Sequence, residues 1–207
     1  MTRAQYEAHI VRPIHVGGQL GASVFLVDWQ GEQVAVKDFA GTPRWFRVFV
    51  APFLVRREGA ALRHLDGAPG IPRFVARVDR LALAMAYVEG TPISTFGLGE
   101  LAPDVFPRIA AVVEAMHARG VAHGDLKRRS NLLLAPDGSV WLIDFATSVI
   151  ARGPLSRRLM RALAEVDDKA LPRLKKFVAP ELLTDDDRHK LDNPTSLERW
   201  AKKLLGR

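Results

Sequence analysis

Short segments in which apolar and polar residues alternate predict a small β-sheet in the first part of the chain. Three such segments cover residues 10–18, 24–27 and 33–39. Two more cover residues 74–78 and 81–88. Alternation with a period of two residues is typical of strands with one buried face, so we expect five strands in these places.

Apolar residues that recur every three or four positions predict helices elsewhere in the chain. This spacing places the apolar side chains on one face of a helix. Pro52 is expected to divide the first helical stretch into two helices, and Gly120 is expected to end the second. The stretches cover residues 44–65, 103–119, 155–163, 167–183 and 198–205.

Residues 121–146 bring polar side chains to the open end of a predicted hairpin. Two short apolar strands flank Asp137-Gly138, a dipeptide that is typical of a hairpin turn. Asp125, Asn131 and Asp144 lie near the open end of this hairpin. Two carboxylates and one amide supply the oxygen ligands that Mg²⁺ prefers. The sequence therefore predicts a metal site here, of a kind that is usually shared with phosphate groups.

The composition excludes several classes of protein. The chain has 207 residues, 48% of them apolar, which is enough for one domain or two small lobes. It contains no cysteine, which excludes disulfides, thiolate metal ligands and cysteine nucleophiles. The formal net charge of +7 favours an anionic partner. The sequence shows no signal-peptide pattern and no apolar run that could span a bilayer, so we expect a cytoplasmic protein.

Several motifs occur in the order found in the catalytic core of protein-kinase-like proteins. His123-Gly124-Asp125-Leu126-Lys127 resembles the catalytic loop, and Asn131 resembles its metal-binding asparagine. Asp144-Phe145-Ala146 resembles the metal-binding Asp-Phe-Gly triplet, and Val34-Ala35-Val36-Lys37 resembles the strand motif Val-Ala-Ile-Lys. The chain is short, and its compact plan is most similar to RIO-type kinases and to lipopolysaccharide-core (Kdo/heptose) kinases.

The resemblance implies an α+β, two-lobed protein-kinase-like fold. Residues 1–90 would form a small N-terminal lobe with an antiparallel sheet and one long helix, and this lobe would bind the nucleotide. Residues 91–207 would form an abbreviated, mainly helical C-terminal lobe that carries the catalytic loop and the metal site.

The resemblance also implies which residues bind the phosphates of ATP. Lys37 would contact the α- and β-phosphates, and Glu58 on the long helix would hold Lys37 in place. Gly18 and Gly21 lie in a turn between the first two predicted strands, where small residues let backbone amides approach phosphates. Their spacing differs from Gly-x-Gly-x-x-Gly, and without the other motifs an ordinary hairpin turn would be the better interpretation.

Adenine would be bound near the end of the last strand of the sheet. Met85 would lie behind the adenine ring, and the backbone amides from Ala86 to Val88 would form hydrogen bonds with it. These residues would lie in the segment that joins the two lobes.

In the C-terminal lobe the resemblance assigns catalysis to Asp125 and Lys127. Asp125 would orient the acceptor hydroxyl and accept its proton, and Lys127 would stabilise the γ-phosphate. Asn131 and Asp144 would bind Mg²⁺, with Mn²⁺ as an alternative. One extra residue separates Asp125 from Asn131 compared with the family, and Ser130 is therefore the other candidate ligand.

The chain departs from the family in other places as well. Gly124 replaces the arginine that binds a phosphorylated activation loop in many kinases, so activation by that route is not expected. Ala146 replaces a glycine, which removes the freedom to adopt a positive φ. His123 is expected to be a packed residue that supports the loop, and Asp167 or Asp168 could be the helix aspartate that does the same. We interpret Ala179-Pro180-Glu181 as part of the helix predicted over residues 167–183, although it matches a kinase motif.

The segment Trp45–Arg57 is rich in aromatic residues and arginine and has two interpretations. Its large side chains could be mostly buried against the sheet. Alternatively, together with the basic C-terminal helix over residues 198–205, they could form a surface for peripheral contact with the inner face of a membrane.

Four functions remain open from the sequence. The first is an ATP-dependent kinase that phosphorylates Ser or Thr of a protein or of itself. The second is a kinase for a sugar hydroxyl of a membrane glycolipid such as a lipopolysaccharide core. The third is a catalytically silent nucleotide-binding scaffold. The fourth, binding to nucleic acid, is the least favoured, because the basic residues are spread along the chain and match no recognition motif.

Overall fold

The computed structural model describes residues 1–199 and divides the chain into two compact units. Unit 1 contains residues 1–67 and 71–89, and unit 2 contains residues 68–70 and the chain from Gly90 onward. The helix predicted over residues 198–205 lies mostly outside the described residues.

Unit 1 is built on an antiparallel sheet of five strands in the order β1-β2-β3-β5-β4. All five strands lie where the alternating pattern predicted them. In chain order, the elements are α1 (Arg3–Glu7), β1 (Ile10–His15), β2 (Ser23–Trp29), β3 (Glu32–Asp38), α2 (Arg44–Phe49), α3 (Ala51–His64), β4 (Phe74–Arg77) and β5 (Ala82–Ala86).

The middle of this sheet is buried, and one of its edges is not. β3 is buried from Val34 to Asp38, because it pairs with a strand on each side and its faces are covered. β1, at the edge, is exposed along its whole length. Tyr6 of α1 packs into a core that also contains Val27, Val34, Val36, Ala82 and Ala84. Lys37 therefore lies on the central, buried strand of the sheet.

The helical stretch before β4 is divided as expected. α2 ends at Phe49, and α3 begins at Ala51 with Pro52 in its first turn, where the missing N–H of proline costs no helical hydrogen bond. The interpretation in which most large side chains of Trp45–Arg57 are buried is wrong. Phe46 and Val55 are buried, but Trp45, Phe49 and Phe53 are 54%, 78% and 57% exposed.

Unit 2 combines helices with short strands. β6, β8 and β9 form one sheet in that order, and β7 pairs with β10. The predicted hairpin is confirmed as β8 and β9, with Gly138 at φ +80° in its turn. In chain order, the elements are β6 (Thr91–Pro92), α4 (Val105–Ala118), β7 (Val121–Ala122), β8 (Leu132–Leu134), β9 (Val140–Leu142), β10 (Val149–Ile150), α5 (Pro154–Asp167), α6 (Ala170–Val178) and α7 (Asp185–Asp192).

The helices after β10 differ from the predicted ones. Asp167 is the last residue of α5, and the following helix, α6, ends at Val178 instead of continuing to residue 183. Ala179 leaves the helical conformation, with φ −156° and ψ 62°, because a residue that precedes proline is disfavoured in the α region. Ala179-Pro180-Glu181 therefore lies outside the helix.

The two units together confirm the α+β class, with an antiparallel sheet and long helix in one unit and mainly helices in the other. The apolar stripe of α4 is buried as expected, and Gly120 at φ +72° follows the end of this helix. Within residues 1–199, no helix has the length and apolar character needed to cross a membrane.

Candidate active site

A buried ion pair connects β3 to α3 in unit 1. The Lys37 ammonium lies 2.9 Å from the Glu58 carboxylate, and both side chains are shielded from solvent. The sequence predicted this pair from the resemblance alone. Each of these two buried charges offsets part of the cost of removing the other from water. The pair therefore fixes the position of the lysine that we expect at the nucleotide phosphates.

The residue after Lys37 is held by a second polar cluster, which the sequence analysis missed. Arg3 donates two hydrogen bonds to the Asp38 carboxylate, at 2.6 and 3.0 Å, and the Tyr6 hydroxyl donates another at 2.5 Å. Burial opposes the charged form of Asp38, but the bonds from Arg3 and Tyr6 outweigh it and lower the pKa of this carboxyl. Arg3 also donates to Asp79, at 2.8 Å. Helix α1 is thus attached to the end of β3, next to Lys37.

The glycine turn between β1 and β2 is tight. The Gly21 amide donates to the Gly18 carbonyl at 3.1 Å, and both residues are exposed. A Cβ on Gly18 would meet nothing within 4 Å, whereas a Cβ on Gly17 would lie 2.3 Å from the Gly21 carbonyl oxygen. Gly17, which was not predicted as a site residue, is thus the glycine that the turn requires. Gly18 and Gly21 stay predictions for phosphate contact.

One prediction for the adenine-binding backbone must be corrected. Met85 is buried at the end of β5 as expected. The Ala86 amide donates to the Arg73 carbonyl at 2.8 Å, and the Tyr87 amide donates to the Gln33 carbonyl at 3.1 Å. The sheet therefore uses both amides, and Ala86 could bind adenine only through its carbonyl oxygen. Val88 stays the predicted amide donor.

In unit 2, a buried carboxylate holds the predicted catalytic loop. Asp167, at the end of α5, accepts hydrogen bonds from the backbone amides of His123 at 2.7 Å and Gly124 at 2.9 Å. The sequence left Asp167 and Asp168 open for this role, and the structure identifies Asp167. Asp168 is more exposed, and burial raises its pKa. α5 therefore fixes the loop just before Asp125.

His123 supports the same loop, as predicted. Its side chain is fully buried, its Nε2 lies 3.0 Å from the Ile143 carbonyl oxygen, and its ring lies 4.9 Å from the Phe145 ring. Burial lowers the pKa of His123, although its hydrogen bond to Ile143 opposes this. The His123 ring links the catalytic loop to the segment that carries Asp144.

Asn131 and Asp144 are brought together by the backbone. The Ile143 amide donates to the Asn131 carbonyl at 3.0 Å, so Asp144 follows directly after a residue bonded to Asn131. The Asn131 side-chain nitrogen donates to the Asp125 carbonyl at 3.0 Å, which leaves its amide oxygen as the atom that could bind a cation. Asp144 is exposed and adopts φ +66°. Ser130, the other candidate ligand, is also exposed.

Asp125 has a partner that the sequence analysis did not single out. The Asp125 side chain is 19% exposed, and its Oδ2 lies 3.1 Å from Nε of Arg128, whose side chain is 72% exposed. The Arg128 amide also donates to the Asp125 carbonyl, at 3.2 Å. Lys127 is exposed beside this turn. A basic residue three positions after an acid in a turn is a signal that could have indicated this pair.

Comparison with known proteins matches the chain to a protein family. The model of the RIO domain matches residues 42–167, more than half of the chain. The matched region contains Glu58 of unit 1 and the catalytic loop, metal residues and Asp167 of unit 2.

Similar proteins include some named as kinases and some named for tRNA biosynthesis. A Methanosarcina acetivorans protein named "Probable bifunctional tRNA threonylcarbamoyladenosine biosynthesis protein" is 31% identical over 56% of this chain and 21% of its own length. The serine/threonine-protein kinase ppk8 of Schizosaccharomyces pombe is 25% identical over 76% of this chain and 29% of its own length. The chain thus spans less than a third of these curated relatives.

A solved structure supports the fold. The crystal structure of the Rio2 kinase from Chaetomium thermophilum matches 90% of this chain and 64% of that chain, with a TM-score of 0.63 and 15% identity. At this identity the likeness concerns the fold alone, and it confirms a protein-kinase-like fold. The family match and this likeness agree, and the chain belongs to the RIO domain family, with a protein-kinase-like fold.

Proposed function

We propose that the chain is an ATP-dependent protein kinase that transfers the γ-phosphoryl group to a Ser or Thr hydroxyl of a protein or of itself. The observation that carries the proposal is the catalytic loop of unit 2. Asp167 binds two successive amides just before Asp125, and Asn131 is bonded to the Asp125 carbonyl. A general base held from both sides is the arrangement that phosphoryl transfer needs, because the reaction depends on positioning.

A divalent cation fits the residues of unit 2. Asn131 offers its side-chain oxygen, and Asp144, the residue after the backbone-bonded Ile143, offers a carboxylate. Within residues 1–199, no group of three His, Cys, Asp or Glu residues could hold a metal ion by itself. This agrees with a cation that takes its other ligands from phosphate and water, as Mg²⁺ usually does and Mn²⁺ can. When bound, the cation would neutralise charge on the β- and γ-phosphates.

The other residues have roles that follow from their environment. In unit 1, Lys37 held by Glu58 would bind the α- and β-phosphates, and the Val88 amide would bind adenine. In unit 2, Lys127 would stabilise the γ-phosphate. Asp125 would accept the proton of the acceptor hydroxyl as its oxygen bonds to the γ-phosphorus. The bond from that phosphorus to the bridging oxygen breaks, and its electron pair leaves with ADP.

The proposal is tested by turnover measurements with purified protein, ATP and Mg²⁺. We expect Asp125→Asn and Asp144→Ala to lower kcat by at least about a hundredfold while the protein remains folded. Arg188→Gln, an exposed residue of α7, is the control for a lost polar group and should leave kcat unchanged. ATP binding without any transfer or hydrolysis that depends on Asp125 would favour the silent scaffold instead.

A second candidate is a kinase for a glycolipid sugar at the inner membrane face. It is favoured by one observation, the exposure of Trp45, Phe49 and Phe53, which lie in the segment Trp45–Arg57 with three arginines and no acidic residue. Aromatic and basic side chains together favour binding to anionic lipid. Sedimentation with anionic vesicles tests it, with Trp45→Ser and Phe49→Ser as variants. Absence of salt-sensitive binding by the native protein would exclude this candidate.

A further inference from the structure

The catalytic loop presents three consecutive basic residues, Lys127, Arg128 and Arg129, which begin two positions after the candidate base Asp125. Lys127 is exposed, Arg128 is 72% exposed, and Arg129 is half-buried with its guanidinium 5.0 Å from the centre of the Phe177 ring. Within residues 1–199, the only carboxylate in ion-pair contact with these three side chains is that of Asp125. The surface around the base therefore carries an excess of positive charge.

The contact between Arg128 and Asp125 interferes with the expected reaction. The Asp125 carboxylate must accept a proton from the acceptor hydroxyl, and the Arg128 guanidinium, whose Nε lies 3.1 Å from Oδ2, occupies one of its two oxygens. An acceptor that only brought a hydroxyl would have to compete with Arg128 for this carboxylate.

The same contact is weak enough to be exchanged. Arg128 is on the surface, and an exposed ion pair gains little, because water screens the charges and the side chain loses freedom when it is held. A guanidinium also binds carboxylates and phosphates with the same paired geometry. An anionic group on the acceptor could therefore replace Asp125 as the partner of the Arg128 guanidinium with little loss of free energy.

We propose that Arg128 is a specificity-determining residue, which selects acceptor proteins with an acidic residue next to the Ser or Thr and releases Asp125 when it binds that acidic residue. This rests on the proposed kinase function and specifies its substrate class. Arg129, stacked on Phe177, and Lys127 extend the basic surface that would meet further acidic residues of the acceptor.

The test compares three short serine peptides that differ only in the residues around the serine, which are Asp, Ala or Lys. The native protein should phosphorylate the Asp peptide with a kcat/KM about tenfold above that of the Ala peptide and further above that of the Lys peptide. Arg128→Gln should impair phosphorylation of the Asp peptide and improve phosphorylation of the Ala peptide. It should raise KM for the Asp peptide about fivefold to tenfold and should raise kcat for the Ala peptide, because Asp125 is no longer occupied.

Arg188→Gln removes the same charge from α7. It should change neither KM for the Asp peptide nor kcat for the Ala peptide. Equal effects of Arg128→Gln on all three peptides would overturn the inference, because a merely structural residue would act in that way. A native protein that does not prefer the Asp peptide would also overturn it.

Failure of the proposed function is recognised separately. The affinity of the Asp and Ala peptides for the protein loaded with a non-hydrolysable ATP analogue does not depend on transfer. If no peptide is phosphorylated but Arg128→Gln still weakens binding of the Asp peptide alone, the selection by Arg128 holds and the kinase proposal fails. If the peptides are phosphorylated but bind Arg128→Gln as they bind the native protein, the kinase proposal holds and the selection by Arg128 fails.

Discussion

Asp167→Asn is the substitution that separates the support of the catalytic loop from its chemistry. The Asp167 carboxylate is buried and accepts the amides of His123 and Gly124, at 2.7 and 2.9 Å. Asparagine keeps the shape but has only one acceptor oxygen, so one of the two amides loses its partner. A hydrogen bond to a charged group contributes about 1.5–3 kcal/mol, and we therefore expect the free energy of unfolding to fall by about 2 kcal/mol.

The assay measures stability and turnover on the same variant. A loss of about 2 kcal/mol corresponds to a decrease of roughly 1 M in the urea midpoint for a protein of this size. We expect kcat to fall about tenfold or more, because a small displacement of the loop misplaces Asp125. Asp168→Asn is the matched control. The Asp168 carboxyl is half-exposed and its pKa is raised. The Asp168→Asn substitution should therefore change the free energy of unfolding by less than about 0.5 kcal/mol. Equal midpoints and equal kcat for the two variants would refute the reasoning.

Three further substitutions test other contacts. Lys37→Met leaves the buried Glu58 carboxylate without this ion pair and should lower the free energy of unfolding by about 3–5 kcal/mol in urea denaturation. Arg3→Met should destabilise the protein at neutral pH and flatten the loss of stability on acidification. The pKa of Asp38 is lowered in the folded state, so its contribution is full above the unfolded value of about 3.9 and is lost as the pH falls through the lower folded value. Gly124→Ala should cost about 1–2 kcal/mol and lower kcat, because Gly124 has φ +80°.

Each of these predictions has a control in the chain. Adding Glu58→Met to Lys37→Met should restore part of the stability but none of the turnover, and a single variant as stable as the native protein would contradict the role of the ion pair. Arg80→Met, at an exposed arginine, should leave the loss of stability on acidification as it is in the native protein. Gly18→Ala should be tolerated, since a Cβ there meets nothing within 4 Å. Similar stability losses at Gly18 and Gly124 would count against the backbone argument.

The sequence was sufficient where the signal is local. The five strands of unit 1 and the hairpin of unit 2 follow from alternation and from one turn dipeptide, because each strand shows its buried face in a few consecutive residues. The division of α2 from α3 follows from a single proline. Lys37 and Glu58 could be paired only through the resemblance, since nothing in their own neighbourhoods distinguishes a buried pair from two surface charges.

The sequence was insufficient where the contact joins distant residues. Asp167 and Asp168 are neighbours of the same type, and only the packing of α5 against the loop decides which carboxylate faces the amides. The Ala86 amide was assigned to adenine because the pattern could not show that Arg73 would pair with it. The exposure of Trp45 and Phe49 was judged from their apolar character, but α2 has only one buried side, which Phe46 occupies.

The way in which the loop is held leads to a last prediction, about activation. In many kinases an arginine in the position of Gly124 binds a phosphorylated residue and so orders the catalytic loop. Here Gly124 has φ +80°, its amide is bonded to Asp167, and a Cβ would lie 3.4 Å from the Thr147 carbonyl oxygen. The support comes from the backbone and from a carboxylate of α5, which are in place once unit 2 has folded. We therefore expect protein treated with phosphatase and then freed of it to start transfer at once, with the kcat of the untreated protein. A lag that disappears as the protein phosphorylates itself would contradict this, because it would show that the loop requires a phosphate after all.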